Sequence, residues 1–179
     1  MHHTLKLYAR YREHTLRYYM FQASWVRIPL VGRFVRWVGN KYGEGQHAAY
    51  VLTQEEARQL VELSPVLALG PCACREVFRN CDGPVSAEIM LAKDHNPFVE
   101  GRPDKYRSLT REEARDVLDS CRRSGLVPTV IKCRENFYAI CNCCSCCCVP
   151  MRLRSKYGIG KALVRNADIL GEFRAWLAA

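Results

Sequence analysis

Cysteines dominate two short segments of the chain. PCACREVFRNCDGP holds Cys72, Cys74 and Cys81, and CNCCSCCCVP holds six cysteines between Cys141 and Cys148. Neighbouring cysteines rarely bridge each other, and the total of eleven is odd, so disulfides alone do not account for them. Crowded thiolates also repel one another unless a cation lies among them. The two segments therefore predict a site for a thiophilic metal.

The spacing within the second segment points to iron–sulfur chemistry. Cys141, Cys144 and Cys147 have the C-x2-C-x2-C spacing with which a loop wraps around a bacterial-type 4Fe–4S cluster. The fourth position of that pattern is Met151, and Pro150 is an imperfect echo of the proline that normally follows it. The fourth ligand must therefore come from the first segment, an exchange that two-cluster ferredoxins make between their halves. The predicted metal ligands are Cys72, Cys74, Cys81, Cys141, Cys143, Cys144, Cys146, Cys147 and Cys148.

The cofactor predicted from this set is a pair of 4Fe–4S clusters, because nine cysteines nearly match the ligands that two clusters need. One cluster with spare thiols, or a cluster of unusual shape, remains open. A zinc site with four cysteines usually has C-x2-C pairs separated by a longer loop, and redox-active disulfides are a further alternative. Cys121 and Cys133 lie on apolar faces of a predicted helix and strand, so we interpret them as core thiols.

Two arginines directly follow cysteines of the chain. Arg75 follows Cys74, and Arg134 follows Cys133. A guanidinium beside an anionic thiolate cluster raises its reduction potential, so both arginines are predicted to bind the cofactor. A solvated surface arginine is the alternative at each position.

An internal repeat connects the two cysteine segments. LTQEEARQLVELS from Leu52 is similar to LTREEARDVLDSC from Leu109, and each contains Thr-x-x-Glu, the capping box that begins a helix. Each helix is followed by a short extended piece and then by cysteines, CREVFRNC in the first copy and CRENFYAIC in the second. The repeat spans residues 52–81 and 109–141.

The predicted fold is an α-rich α+β fold. Pseudo-duplicated helix-plus-cysteine-loop units surround the iron–sulfur clusters, with short β segments at the cluster loops and helices flanking the units at both ends. Apolar periodicity predicts helices over residues 4–22, 24–38 and 161–178. The predicted domains are a basic aromatic helical segment at 1–45, the cluster domain at 46–150, and a C-terminal helix packing on it at 151–179.

The net charge of +9 is concentrated at the two ends of the chain. Residues 1–41 carry eight Lys or Arg and one Glu, and residues 150–179 carry six Lys or Arg and two acidic residues. Basic ends of this kind are predicted to dock a redox partner protein. The N-terminal mixture of arginines with aromatics from Tyr8 to Trp37 also suits an anionic membrane surface, with nucleic acid ranked below it.

The compartment predicted from the sequence is the cytoplasm. No apolar run reaches the roughly eighteen residues of a membrane span. The first twenty residues also lack the apolar stretch of a secretory signal. Peripheral attachment at the inner membrane surface stays an open alternative, and the sequence does not indicate an oligomeric state.

At the level of CxCR…CDxP and CNCCxCCC, the chain resembles a family of cytoplasmic 4Fe–4S ferredoxin-like proteins. The likeness covers about residues 52–150, and the chain beyond them does not resemble the two-cluster ferredoxin module into which many members continue. The resemblance implies bound 4Fe–4S clusters and a partner that supplies or accepts electrons. It is carried by Cys72, Cys74, Arg75, Cys81, Asp82, Pro84, Thr110–Ala114, Gly125–Val127 and Cys141–Cys148.

Three functions follow from these features. The first is an electron carrier or redox subunit of a larger oxidoreductase. The second is a reductase that handles a disulfide or sulfur substrate at a cluster with an open site, kept in view by Met151 at the fourth ligand position. The third is a zinc-stabilised module that binds nucleic acid or a membrane surface. The chain holds no catalytic triad or dinucleotide fingerprint, so whether it is an enzyme stays undecided.

Overall fold

The computed structural model describes the backbone of residues 2–45 and 47–179, and the side chains of residues 10–45 and 47–179. The side chain of Tyr8 and the whole of position 46, the predicted start of the cluster domain, lie outside these ranges. The helices are α1 His2–Ser24, α2 Val31–Gly45, α3 Gln54–Leu63, α4 Ala73–Phe78, α5 Pro97–Gly101, α6 Arg111–Arg123, α7 Val149–Tyr157 and α8 Ile169–Ala178. The strands are β1 His47–Val51, β2 Val66–Pro71, β3 Ser86–Ala92, β4 Arg107–Ser108, β5 Val127–Cys133, β6 Asn136–Cys143 and β7 Leu163–Arg165. Short 3-10 turns lie at Trp25–Arg27 and Gly160–Ala162.

The described strands form one mixed sheet in the order β4-β2-β3-β6-β5-β1-β7. Neighbours pair antiparallel except β1 and β7, which are parallel. The central strands β3 and β6 are buried along almost their whole length. A mixed α/β fold, rich in helix, is therefore confirmed.

The sheet is much larger than the short β segments predicted from the sequence. The reason lies in burial: helices cover both faces of the central strands. Such strands read as continuous apolar runs and lack the alternation that identifies a half-exposed strand. The run SAEIMLA of β3 is an example.

One face of the sheet carries the main apolar core. Helices α3, α6 and α8 cover it, and Leu60, Leu118 and Phe173 from these helices are fully buried against Ile89 and Ile140 of the central strands. The aromatic rings of Phe137 and Phe173 meet edge to face, with their centroids 5.3 Å apart. This core anchors the strands that carry cysteines towards the other face.

The opposite face of the sheet carries the cysteines. Side chains alternate along β3, so Glu88 and Met90 point away from the main core, and Cys141 and Cys143 of β6 share their side of the sheet. Helices α1, α4 and α7 cover this side and pack on one another through a separate apolar cluster that includes Leu16, Met20, Ala73, Val149 and Tyr157.

Helices α3 and α6 begin as the repeat predicts. Thr53 accepts a hydrogen bond from the Glu56 backbone N–H, Thr110 accepts one from Glu113, and both glutamates complete the capping box. The segments that follow differ, since Cys74 lies in α4 whereas Cys133 ends β5. The pseudo-duplication as a whole stays a prediction.

The predicted helices at the two ends are present with different bounds. Pro29 lies between α1 and α2, and the second helix begins only at Val31. The C-terminal prediction of one helix over 161–178 is wrong in its first half. Leu163 pairs with Ala49 as part of β7, and α8 begins at Ile169. Edge-strand pairing and the burial of Leu163 outweigh local helix propensity there. None of the helices in the described part of the chain combines the length and apolar character of a membrane span.

The Thr110→Ala variant is expected to lower the free energy of unfolding by about 1 kcal/mol, because the N–H of Glu113 loses its acceptor. Urea denaturation measures the change. Thr110→Ser keeps a hydroxyl in the same place and is the matched control, expected to stay within about 0.5 kcal/mol of the native chain. Equal stability of the alanine and serine variants would contradict the capping assignment.

Candidate metal centre

Two chain reversals bring the cysteine segments together. Strand β6 ends at Cys143, and a tight turn over residues 144–147 leads into α7, whose first turn contains Pro150. On the other side, Cys72 is the N-terminal cap residue of the short helix α4. The C-terminal cap of that helix is Arg79, whose left-handed backbone (φ 47°) turns the chain towards Cys81.

Four cysteines form an outer group, Cys81, Cys144, Cys146 and Cys147, whose sulfur atoms all lie within 4.8 Å of one another. The Sγ of Cys81 lies 3.8 Å from that of Cys144 and 3.7 Å from that of Cys147. Asn80 fastens the loop to the turn, since its backbone N–H donates to Cys147 Sγ and its side chain donates to the carbonyl of Cys146. This group can bind a metal ion.

The other five predicted ligands form an inner group, Cys72, Cys74, Cys141, Cys143 and Cys148. All five line one small cavity of about 40 Å³ beneath α1, and Cys144 of the outer group also reaches it. The sulfurs of Cys143 and Cys148 are 3.2 Å apart, and Thr129 Oγ1 lies 3.0 Å from Cys143 Sγ. The two groups are therefore neighbours, and each combines cysteines of both sequence segments.

Arg75 lies between the two groups and is only 2% exposed. Its Nε donates to the carbonyl of Pro84 and its Nη1 to the carbonyl of Asn142, both at 2.8 Å. Burial lowers the pKa of this guanidinium, but the thiols of Cys72 and Cys144 raise it by more. Arg75 thus places one positive charge against cysteines of both groups.

Arg12 and Glu88 form a second buried pair beside the inner group. Nη1 and Nη2 of Arg12 donate to the two oxygens of the Glu88 carboxylate, and Cys141 Sγ donates to Glu88 Oε1 at 3.0 Å. This pair is not among the site residues predicted from the sequence. The available signal was Glu88 itself, a single acidic residue in an otherwise apolar run, which a buried strand tolerates only with a partner.

The thiols of Cys72 and Cys141 in the inner group resist ionisation. Burial, with the neighbouring Cys141 and Glu88, raises the pKa of Cys72 to about 12. The hydrogen bond with Cys143 and burial likewise raise the pKa of Cys141. The nearby His47 adds no positive charge at neutral pH, since burial and the charge of Arg12 lower its pKa to about 4. A bound cation would supply the charge that thiolates need here.

Cys144 behaves in the opposite way. Burial raises its pKa, but hydrogen bonds from the Cys147 backbone N–H and from the side chains of Cys146, Arg75 and Cys81 lower it more, to about 6. Cys144 is therefore a thiolate at neutral pH. It is the natural first ligand for an incoming metal ion.

The donor set fits soft metal chemistry. Thiolates select zinc and iron–sulfur clusters over magnesium or calcium. In the outer group, the sulfur separations Cys81–Cys144, Cys81–Cys147 and Cys146–Cys147 are 3.7 to 3.9 Å and suit ligands around a single ion. A tetrahedron with zinc–sulfur bonds of about 2.3 Å has an edge of about 3.8 Å. A 4Fe–4S cube spaces its ligand sulfurs more widely, so the turn would have to open around it.

Several predicted site residues are placed differently from the sequence expectation. The C-x2-C-x2-C set is divided, with Cys141 in the inner group and Cys144 and Cys147 in the outer group. The fourth cysteine of the outer group, Cys81, comes from the first segment, and the exchange of a ligand between the segments stays a prediction.

The remaining residues lie outside both groups. Cys121 is buried against Ala87 and Leu126, as expected for a core thiol. Cys133 and Arg134 lie at the turn between β5 and β6, at the opposite end of this hairpin from Cys143. The structure therefore does not bring Arg134 to either cysteine group, and its cofactor-binding role stays a prediction.

Comparisons with protein-family models, with curated proteins and with solved structures give no match to this chain.

In the metal-free protein, Cys144 is expected to react first with iodoacetamide at pH 7. Its pKa of about 6 makes it mainly thiolate, whereas Cys146, with a similar partial exposure, has a raised pKa. Peptide mass spectrometry after brief labelling measures the order. The rate at Cys144 should fall about tenfold per pH unit below its pKa. Equal labelling of the two cysteines at pH 7 would contradict the assigned ionisation.

Proposed function

We propose that this protein is an iron–sulfur protein that transfers electrons, as a carrier or as a redox subunit of a larger oxidoreductase. The outer and inner groups would hold two 4Fe–4S clusters. When bound, such clusters supply reversible one-electron transfer. The observation that carries the proposal is the convergence of nine cysteines into two adjoining groups, more thiols than one tetrahedral ion uses.

The charges around the groups support this proposal. Arg75 presents a buried guanidinium to both groups, and Arg12, which also lines the inner cavity, is paired with Glu88. One net positive charge near anionic clusters would favour their reduced states. Cys144 belongs to the outer group and also lines the inner cavity. The two centres would therefore be immediate neighbours for electron transfer.

The setting in which the protein would act is part of the same proposal. We infer a member of the 4Fe–4S ferredoxin-like family that works in the cytoplasm. The basic ends of the chain would dock a redox partner protein that supplies or accepts the electrons.

A second candidate function is favoured by one specific observation, the tight sulfur spacing of the outer group. A single zinc ion held by Cys81, Cys144, Cys146 and Cys147 would fix the turn before α7 to the loop after α4. The protein would then be a zinc-stabilised binding module.

Metal analysis of anaerobically purified full-length protein separates the two candidates. The iron–sulfur proposal expects a brown protein with about eight iron and eight sulfide per chain, and an electron paramagnetic resonance signal that appears on reduction. A colourless protein with one or two zinc ions, and no iron in either group, would contradict it.

Matched serine variants localise the metal. Cys147→Ser should remove the metal of the outer group, whereas Cys121→Ser, which changes a buried thiol outside both groups, should keep it. For the inner group, Cys74→Ser is paired with Cys133→Ser, its counterpart in the sequence repeat. Loss of metal in the control variants to the same extent would refute the assignment.

Arg75→Met is expected to lower the reduction potential of at least one cluster. The substitution removes a buried positive charge that favours the more negative reduced state. Protein-film voltammetry measures the potential. Arg75→Lys retains the charge and should stay close to the native value. Arg134→Met removes an arginine from the far end of the β5–β6 hairpin and should leave the potential unchanged; an equal shift in both methionine variants would overturn the role of Arg75.

A further inference from the structure

The exposed apolar side chains of this protein are concentrated in one segment. Of the thirteen large apolar residues that are exposed among the described side chains, eleven lie between Tyr11 and Tyr42, in α1, the turn that follows it and α2. The other two are Val85 and Val127. Exposed apolar residues are normally scattered, and a concentration of this kind marks an interaction surface.

The tip of the α1–α2 hairpin is the most exposed part of this segment. Leu30 is 88% exposed, and its backbone is in the left-handed region, with φ 68°. The turn is tightly built, because a Cβ at Gly32 would collide with the backbone carbonyl of Val26. Leucine is thus held outward, on a strained backbone, in a position that glycine would occupy without strain.

An apolar groove of about 630 Å³ opens between the two helices. Leu16 and Ala23 of α1 form one wall, Val35 and Val38 of α2 form the other, and Leu153 of α7 contributes to the floor. Trp25 and Phe34 also line the groove, and both are exposed. A groove of this size and character accepts a hydrocarbon chain.

Cations surround this apolar surface. The exposed basic residues of the segment are Arg10, Arg17, Arg27, Arg33, Arg36 and Lys41. The acidic residues between positions 10 and 45 are Glu13, which pairs with Arg102 and Lys105 of the protein body, and Glu44. The surface is therefore both apolar and strongly basic.

We propose that α1, the Trp25–Arg27 turn and α2 form a docking face for an anionic membrane surface. The hairpin tip and the aromatic rings enter the interface, the groove admits a lipid chain, and the arginines contact anionic headgroups. This assignment is independent of which metal the cysteines bind.

The shape of the surface favours a bilayer over a protein partner. Phe21 on α1, Leu30 at the tip and Trp37 on α2 are each exposed, so the apolar residues extend along both helices and around the convex end between them. A bilayer surrounds a convex apolar tip. Tryptophans, here Trp25 and Trp37, are enriched at the interface between lipid and water, and arginines are attracted to anionic lipid.

Vesicle flotation of the anaerobically purified full-length protein tests the proposal. Binding is expected to vesicles of phosphatidylcholine with about 30% phosphatidylglycerol, and much less to phosphatidylcholine alone. Raising the salt to about 0.5 M should weaken the binding, because it screens the arginines.

Arg17→Gln with Arg33→Gln should reduce binding by about fivefold per arginine. Arg122→Gln with Arg123→Gln removes two exposed arginines of α6 and should have little effect.

The Leu30→Gly variant distinguishes a loss of membrane docking from a loss of folding stability. The variant removes the exposed side chain and relieves the strained backbone, so its melting temperature should equal or exceed that of the native chain while vesicle binding falls. Adding Phe34→Gln and Trp37→Gln should lower binding at least about tenfold. Val85→Gln, which changes an exposed valine outside the segment, should bind as the native protein does.

Quenching by brominated lipids reports the orientation. Fluorescence from Trp25 and Trp37, in a Trp176→Phe variant, should be quenched by anionic vesicles that carry bromine on the acyl chains. In the converse variant, which lacks Trp25 and Trp37 and keeps Trp176, the fluorescence should not be quenched, because Trp176 packs against Phe137 and Phe173 at the main core.

Three outcomes would overturn the proposal. They are equal affinity for neutral and anionic vesicles, unchanged binding of the Leu30, Phe34 and Trp37 variant, and absence of binding to either vesicle. Should these variants instead abolish a dimer seen by sedimentation, or binding to RNA in a filter assay, the face would belong to a second copy of the chain or to nucleic acid.

Discussion

Thiols that are packed together and buried can become ligands only if positive charge reaches them. In the inner group this requirement is severe. Burial raises the pKa of Cys72, the hydrogen bond with Cys143 together with burial raises that of Cys141, and the nearby His47 stays neutral. Arg12 is neutralised by Glu88, which leaves Arg75 as the cation that faces both groups. One guanidinium does not compensate several thiolates, so a metal cation is the physically consistent complement of this arrangement.

A buried charge that needs an opposite charge also attaches the N-terminal helix to the sheet. Arg12 of α1 reaches across the sheet face to Glu88, and both side chains are almost fully buried. Removing one member of a buried ion pair typically costs about 3–5 kcal/mol, far more than a surface pair contributes. The pair therefore fixes α1 over the inner group, and the thiol of Cys141 donates to the same carboxylate. The helix that carries much of the exposed aromatic surface thus also encloses the inner cysteine group.

Much of this arrangement could be read from the sequence, and the rest could not for identifiable reasons. The Thr-x-x-Glu starts of α3 and α6 are local signals, and both helices begin where they predict. Strands β3 and β6 lack alternation because both their faces are covered, so the sheet was underestimated. The spacing of the cysteines predicts nine metal ligands, but it does not predict how they divide between the inner and outer groups. Cys141 and Cys144 are three residues apart, yet Cys141 lies in strand β6 and Cys144 lies in the turn after it. The pairing of β6 with β5 decides this difference, and the spacing of the cysteines does not reveal it.

The docking face and the inner cysteine group also share a wall. Leu16, His47 and Pro150 line both the apolar groove and the inner cavity. A hydrocarbon chain in the groove would therefore end close to the inner group, behind the layer formed by α1 and α7. If the inner group carries a redox centre, that centre lies behind the wall that the inner cavity shares with the groove. Membrane attachment through the docking face would therefore bring the wall of the inner group to the bilayer, because Leu16, His47 and Pro150 belong to both the groove and the inner cavity.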